Sequence, residues 1–162
     1  MTSPWHKWSL NGGASDAATT AGEVNSALLS LLESDLSKNT KPVVFVVRHE
    51  PAFPQPDAAP PHRLRHEEDS LDAFPANRDA FWDTLVAYGV IAHFCGHTHN
   101  YNIVRMDGVW QIDAGHARGM ADTGAPSTFI RISVWKAGGV TYETYRQNLS
   151  TQAYRIADLG NL

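Results

Sequence analysis

Apolar positions recur along this chain with two different periods, and the change of period marks its elements. Val24, Ala27, Leu28, Leu31, Leu32 and Leu36 recur at three- and four-residue spacing, which predicts an amphipathic helix over about residues 21–36. Thr20-Ala21-Gly22-Glu23 ahead of it has capping-box spacing, a hydroxyl followed three residues later by a carboxylate. Lys38-Asn39-Thr40-Lys41-Pro42 ends the pattern. Residues 43–47 are apolar at every position, as in a strand covered on both faces. A loop of roughly thirty residues follows, carrying Pro51, Pro54, Pro56, Pro60, Pro61 and Pro75; loops of that length inside a domain are usually functional or mobile. Phe81, Leu85, Val86 and Tyr88 then give a second helix over 77–88, with Asn77 as cap and Gly89 as stop. A second apolar strand covers 90–94.

The remainder reads as antiparallel strands. Residues 102–106 and 109–113 flank Asp107-Gly108, a type I′ hairpin signal. Residues 128–135 and 140–146 flank Lys136-Ala137-Gly138-Gly139 and form a second hairpin. Residues 1–19 read as a loosely ordered lead. Residues 149–162 read as a polar tail without a structural signal. One domain spans 20–148.

Strand, helix, strand is a β-α-β unit, with parallel strands and a right-handed crossover. The first strand runs into His49 and the second into His97 and His99, so all three histidines reach the carboxyl edge of the sheet. Ligands of open α/β sheets bind at that edge. Neutral imidazole is the commonest protein ligand for zinc and its first-row neighbours. Within Gly96-His97-Thr98-His99, Gly96 is expected to supply the sharp turn that lets both rings converge.

Composition narrows the partners. The chain has 162 residues, 43% of them hydrophobic, and a net charge of −4, so no basic surface argues for nucleic acid. A single cysteine excludes an intrachain disulfide and a cysteine-based zinc cage. Apolar runs of about five residues fall far short of a membrane span. The first residues lack the apolar stretch of a signal peptide, which makes a cytoplasmic location the default.

The ordered motifs His49-Glu50-Pro51 and Gly96-His97-Thr98-His99, each ending an apolar strand, resemble the H-x-P and G-H-x-H of the calcineurin-like metallophosphoesterases, which include the purple acid phosphatases. The resemblance covers about residues 20–146 and the C-terminal half of that family. It implies an α/β fold, half of an α-β-β-α sandwich, whose mixed sheet carries one β-α-β unit followed by antiparallel hairpins. It also implies a metal-dependent hydrolase of phosphate esters. His49 and His97 would bind one divalent transition metal of a two-metal centre and His99 the other, with zinc first and iron or manganese as alternatives. The family's first-half motifs D-x-H, G-D and G-N-H-D/E are absent, so most of its ligand set has no counterpart here.

Replacement ligands are sought nearby. Asp113 and His116 follow the first hairpin and can face the same edge, although a local packing or capping role suits Asp113 better. His62, Arg63, Arg65 and His66 lie in the long loop, where purple acid phosphatases carry substrate-facing histidines; a solvated charged loop is the alternative. Glu50 points away from His49 if strand geometry persists. His93 reads as a hydrogen-bonded core histidine and Cys95 as a buried, inert thiol. Three functions stay open: a phosphoesterase, a truncated metal-binding half-domain without activity, and a structural module that keeps the turns. A sheet with one uncovered apolar face further predicts a homodimer or higher oligomer.

Overall fold

The computed structural model describes residues 22–58, 64–117 and 126–162. Two helices and seven strands follow in the order α1 (Ser26–Lys38), β1 (Phe45–Val47), α2 (Pro75–Ala87), β2 (Ala92–Cys95), β3 (Tyr101–Met106), β4 (Val109–Ala114), β5 (Thr128–Val134), β6 (Val140–Gln147) and β7 (Tyr154–Asn161). A short 3-10 helix, Leu71–Ala73, interrupts the long loop before α2. The first sheet has the order β1-β2-β4-β3 and the second β5-β6-β7. Both β1–β2 and β2–β4 are parallel, and β3–β4 is the antiparallel hairpin. The architecture is mixed α/β, with the β-α-β unit and the two hairpins in the expected order.

Local chemistry moves several boundaries. α1 starts at Ser26 because Asn25 is its cap: the Asn25 side chain accepts from the Leu28 amide at 3.0 Å. The expected cap at Thr20 lies outside the described residues. α2 starts at Pro75, whose fixed φ and missing N–H suit a first helical position. Asn77 is therefore not its cap; its amide instead donates to Val24 O at 3.0 Å and ties α2 to the chain entering α1. Asp107 and Gly108 both have positive φ, as a type I′ turn requires.

Register separates the faces of the first sheet. Val46, His93 and Gln111 are neighbours across β1, β2 and β4 and so share one face. That face packs on the helices, in a core with Leu32, Leu36, Phe81, Trp82 and Leu85. Tyr101, Ile103, Ile112 and Phe94 share the opposite face. There the Tyr101 hydroxyl meets Thr144 Oγ1 at 2.9 Å and donates to Asp158 at 3.1 Å, so the second sheet lies on this side. A bidentate pair reinforces the junction: Arg146 Nη1 and Nη2 donate to the two oxygens of Asp57 at 2.7 and 2.8 Å.

Two expectations change. The residues after Asn148 are not a featureless tail, since Tyr154–Asn161 pairs antiparallel with β6 over seven register positions. The sheet containing β1 is not left with an open face, because helices cover one side and the second sheet lies over the other. The apolar exposure sits instead on the outside of the second sheet, where Phe129, Ile156 and Leu159 are 46%, 49% and 64% exposed. Residues 1–19 fall outside the described residues.

Candidate metal centre

Three strands deliver side chains to one edge. β1 leads into His49, whose carbonyl accepts from the Gly96 amide at 2.8 Å, locking the exit of β1 to the exit of β2. β2 leads into His97 and His99. Gly96 is not the residue that makes the turn, for its φ is not positive; His97 and His99 themselves adopt positive φ, 67° and 59°. Left-handed backbone is costly for a residue with a Cβ and concentrates where surroundings enforce it. His66, from the long loop, has φ 57°.

The long loop is anchored from both ends. Gln111, buried on the helix-side face, accepts at Oε1 from Ala52 N and Phe53 N, both at 2.9 Å, and donates to Phe53 O at 2.7 Å. Leu71, fully buried, donates from its amide to Pro51 O at 3.2 Å. The Ser70 hydroxyl donates to His66 O at 3.1 Å. These bonds place His66 and Asp69 over the strand ends.

There they meet His97. His66 Nδ1 and Asp69 Oδ2 are 2.9 Å apart, and His97 Nε2 and Asp69 Oδ1 are 3.2 Å apart. His97 Nδ1 lies 3.2 Å from His49 Nε2. A neutral His97 satisfies both contacts when its Nε2–H donates to Asp69 and its Nδ1 accepts from His49. Hydrogen bonds, the one from His66 foremost, hold the Asp69 carboxyl below its ordinary range, so it is ionised at neutral pH. Donor atoms of His66, Asp69 and His97 all lie within 4.8 Å of one another, close enough to converge on one cation. The file of rings continues past them: the His66 and His99 centroids are 6.1 Å apart, and those of His99 and His116 are 6.0 Å apart.

Two imidazoles and a carboxylate fit a first-row divalent metal. Catalytic zinc sites commonly use three such ligands and leave a position open. Half of the Asp69 side chain is exposed to solvent, so the group is accessible from outside.

Asp113 stands beneath this group, not in it. It is buried at the end of β4, where the Thr98 hydroxyl donates to Oδ2 and the Gly115 amide donates to Oδ1 at 2.9 Å. Burial pushes its carboxyl up to about 7, against the lowering effect of those two bonds. Glu50 turns away from the edge, pairing with Arg48 at 2.6 Å. Arg65 is half-buried one residue before His66, while His62 and Arg63 lie outside the described residues. His93 is fully buried against Phe81, with ring centroids 5.3 Å apart. Its expected hydrogen bond is missing: neither ring nitrogen has a partner among the described residues. Burial, followed by the nearby Arg48 charge, lowers its pKa to about 3. Cys95 is buried, its thiol held in the neutral form chiefly by that burial.

Asp69 is the member that sequence reasoning missed. It ends the acidic run Glu67-Glu68-Asp69 directly after His66. Its nearness to a histidine in a loop bound for the edge was the available signal.

No protein-family model matches the chain. No curated protein matches it either. Among solved structures it is similar to Vps29 of Entamoeba histolytica complexed with zinc, at 18% identity over 52% of this chain and 46% of that one, with a TM-score of 0.40. It is also similar to GAP50 of Plasmodium, the anchor in the inner membrane complex, at 14% identity over 84% and 42%, with a TM-score of 0.49. A double mutant of the Entamoeba Vps29 aligns at 12% identity over 90% and 93%, with a TM-score of 0.42. The alignments span less than half the length of the first two proteins.

Proposed function

We propose that this chain is a metal-dependent hydrolase of phosphate esters, with its centre at the carboxyl edge of the parallel strands. The observation that carries the reading is the convergence of His66, Asp69 and His97 within 4.8 Å, beside the His49 ring. A bound divalent metal supplies Lewis acidity toward phosphoryl oxygens and lowers the pKa of a coordinated water.

The chain's own residues have distinct tasks. His66, Asp69 and His97 hold the cation, and Asp69 enters the site already ionised. With the cation on Nε2, the His97 ring would carry its proton on Nδ1 and donate it to His49 Nε2, the reverse of the metal-free arrangement, so that His49 orients the ring as outer partners of metal-bound histidines do. His99 and His116 extend the imidazole surface and provide the donors for a second ion. Arg65 is the candidate for the phosphate oxygens, which a guanidinium matches in a fork. Zinc is the first choice of metal, and iron or manganese suits the same donors.

Metal content per chain, measured together with hydrolysis of a panel of aryl phosphates, tests the reading. At least one transition metal per chain and chelator-sensitive turnover are expected. Loss of metal in Asp69→Asn and in His97→Ala places the ion. Hydrolysis that survives both chelator and substitution would overturn the assignment. Metal bound without turnover on any ester would leave the second reading, a metal-binding half-domain without activity.

A further inference from the structure

The carboxylate of Asp113 touches two turns at once. Oδ2 receives the hydroxyl of Thr98, the residue between His97 and His99. Oδ1 receives the Gly115 amide, one residue before His116. Thr98 is itself fully buried, and its hydroxyl also accepts from the Asn100 amide at 3.1 Å. Gly115 has φ 71°, and a Cβ there would come within 3.2 Å of Tyr101 N, so the second turn is pressed closely onto the start of β3. The far side of that turn is held too: the Thr128 amide donates to His116 O at 2.8 Å.

We infer that Asp113 and Thr98 form a positioning brace that holds the turn of His97 and His99 against the turn of His116, so that the histidines act as one preorganised donor set. The backbone explains why a brace is needed. His97 and His99 both sit in the left-handed region, where a residue with a Cβ does not stay unless other contacts enforce it. Thr98 lies between them and points inward, and its hydroxyl is the contact that fixes the turn. One carboxylate then sets the distance between two loops that approach from different strands. Asp113 acts through the histidines and is not itself a ligand.

The inference rests in part on the metal-binding reading, so its test has one arm that needs metal and one that does not. In the first, Zn2+ alone is titrated calorimetrically into the full chain. Thr98→Val keeps the shape and removes the hydroxyl; its affinity is expected to fall by about tenfold or more, the range seen when outer partners of metal-bound histidines are removed. Thr98→Ser restores the hydroxyl and should recover most of it. In the second arm, imidazole resonances are followed by NMR without metal. Thr98→Val should shift His97, His99 and His116 together and leave buried His93 in place, and Thr98→Ser should return them. Should Thr98→Val fail to fold, Asp113→Ala takes its place: it removes both acceptors, the one for the Thr98 hydroxyl and the one for the Gly115 amide. A folded variant with wild-type Zn2+ affinity and unmoved imidazoles overturns the brace. If the wild type takes up no Zn2+, the metal reading fails alone, and the metal-free resonances decide for or against the brace.

Discussion

His97 and His99 hold left-handed backbone conformations that glycine would occupy at no steric cost. Glycine at either position relieves that strain, about 1–2 kcal/mol, but adds roughly 0.5–1 kcal/mol of backbone freedom to the unfolded chain, and at His97 it removes the contacts with Asp69 and His49. His97→Gly is therefore expected to change stability by less than about 1 kcal/mol and to lose metal. Thermal melts and elemental analysis on the same preparation check both halves. His93 gives a second residue-scale prediction, through pH. Its folded pKa of about 3 lies below the ordinary histidine value of 6.5, so the unfolded chain binds the extra proton first. The associated stability is fully present above about pH 6.5 and is lost as pH falls toward 3. Asp113 has the opposite sign, because its pKa is raised to about 7 and its contribution declines as pH rises from about 4 to 7. Comparing wild type with His93→Leu isolates the first, since Asp113 is common to both. Relative to the wild type, the urea midpoint of His93→Leu should stand higher at pH 4 than it does at pH 7, because the variant has no histidine contribution to lose in acid.

At the scale of elements, the long loop depends on one buried side chain. Gln111 satisfies two amides and a carbonyl of residues 52–53 from the neighbouring strand β4. Gln111→Leu fills the space but orphans those groups, at about 1–3 kcal/mol for each buried donor left unpaired. It should also lower metal affinity at a distance, because the same loop carries His66 and Asp69; denaturation and Zn2+ titration read the two effects. The elements themselves were largely legible. Helical spacing in α1, continuous apolar runs in β1 and β2, and Asp107-Gly108 were sufficient for the β-α-β unit and the first hairpin. β7 was not legible, and its register shows why. A bulge opposite Thr144/Tyr145 breaks the two-residue period, so Tyr154, Ile156 and Leu159 share a face at spacings of two and then three. Asp69 was hidden for another reason. A carboxylate in a charged loop has no period, and only the contacts that fold the loop back bring it to His97. The roles in the Gly96–His99 turn were also inverted, since glycine is the default expectation for a sharp turn and two strained histidines are not.

For the whole molecule, the question of assembly moves to the outside of the second sheet. Phe129 stacks on Tyr145 with centroids 4.8 Å apart and meets Tyr154 at 5.2 Å, beside Ile156 and Leu159. Contiguous apolar surface of this kind commonly marks an interface. Light scattering at micromolar concentration is expected to report a dimer, and Ile156→Lys a monomer with its metal content unchanged. That second result separates assembly from the metal edge, which is formed by other strands. No helix among the described residues is long and apolar enough to cross a membrane.

The bidentate pair between Asp57 and Arg146 also bears on the order of events during folding. Its partners are 89 residues apart in the chain. Closing so long a span costs chain entropy before any contact repays it, and structures rich in such contacts fold slowly. Asp57 also accepts from the Tyr101 amide, at the start of β3. A growing chain thus exposes the loop, the histidine turn and β3 well before Arg146 is synthesised to clamp them. The Asp57 loop and the start of β3 are then clamped by a partner that enters the chain late. Interactions absent from the folding transition state act on the unfolding rate. Arg146→Met should accordingly accelerate unfolding in stopped-flow measurements and leave the refolding rate nearly unchanged, so the clamp governs how long a formed site persists.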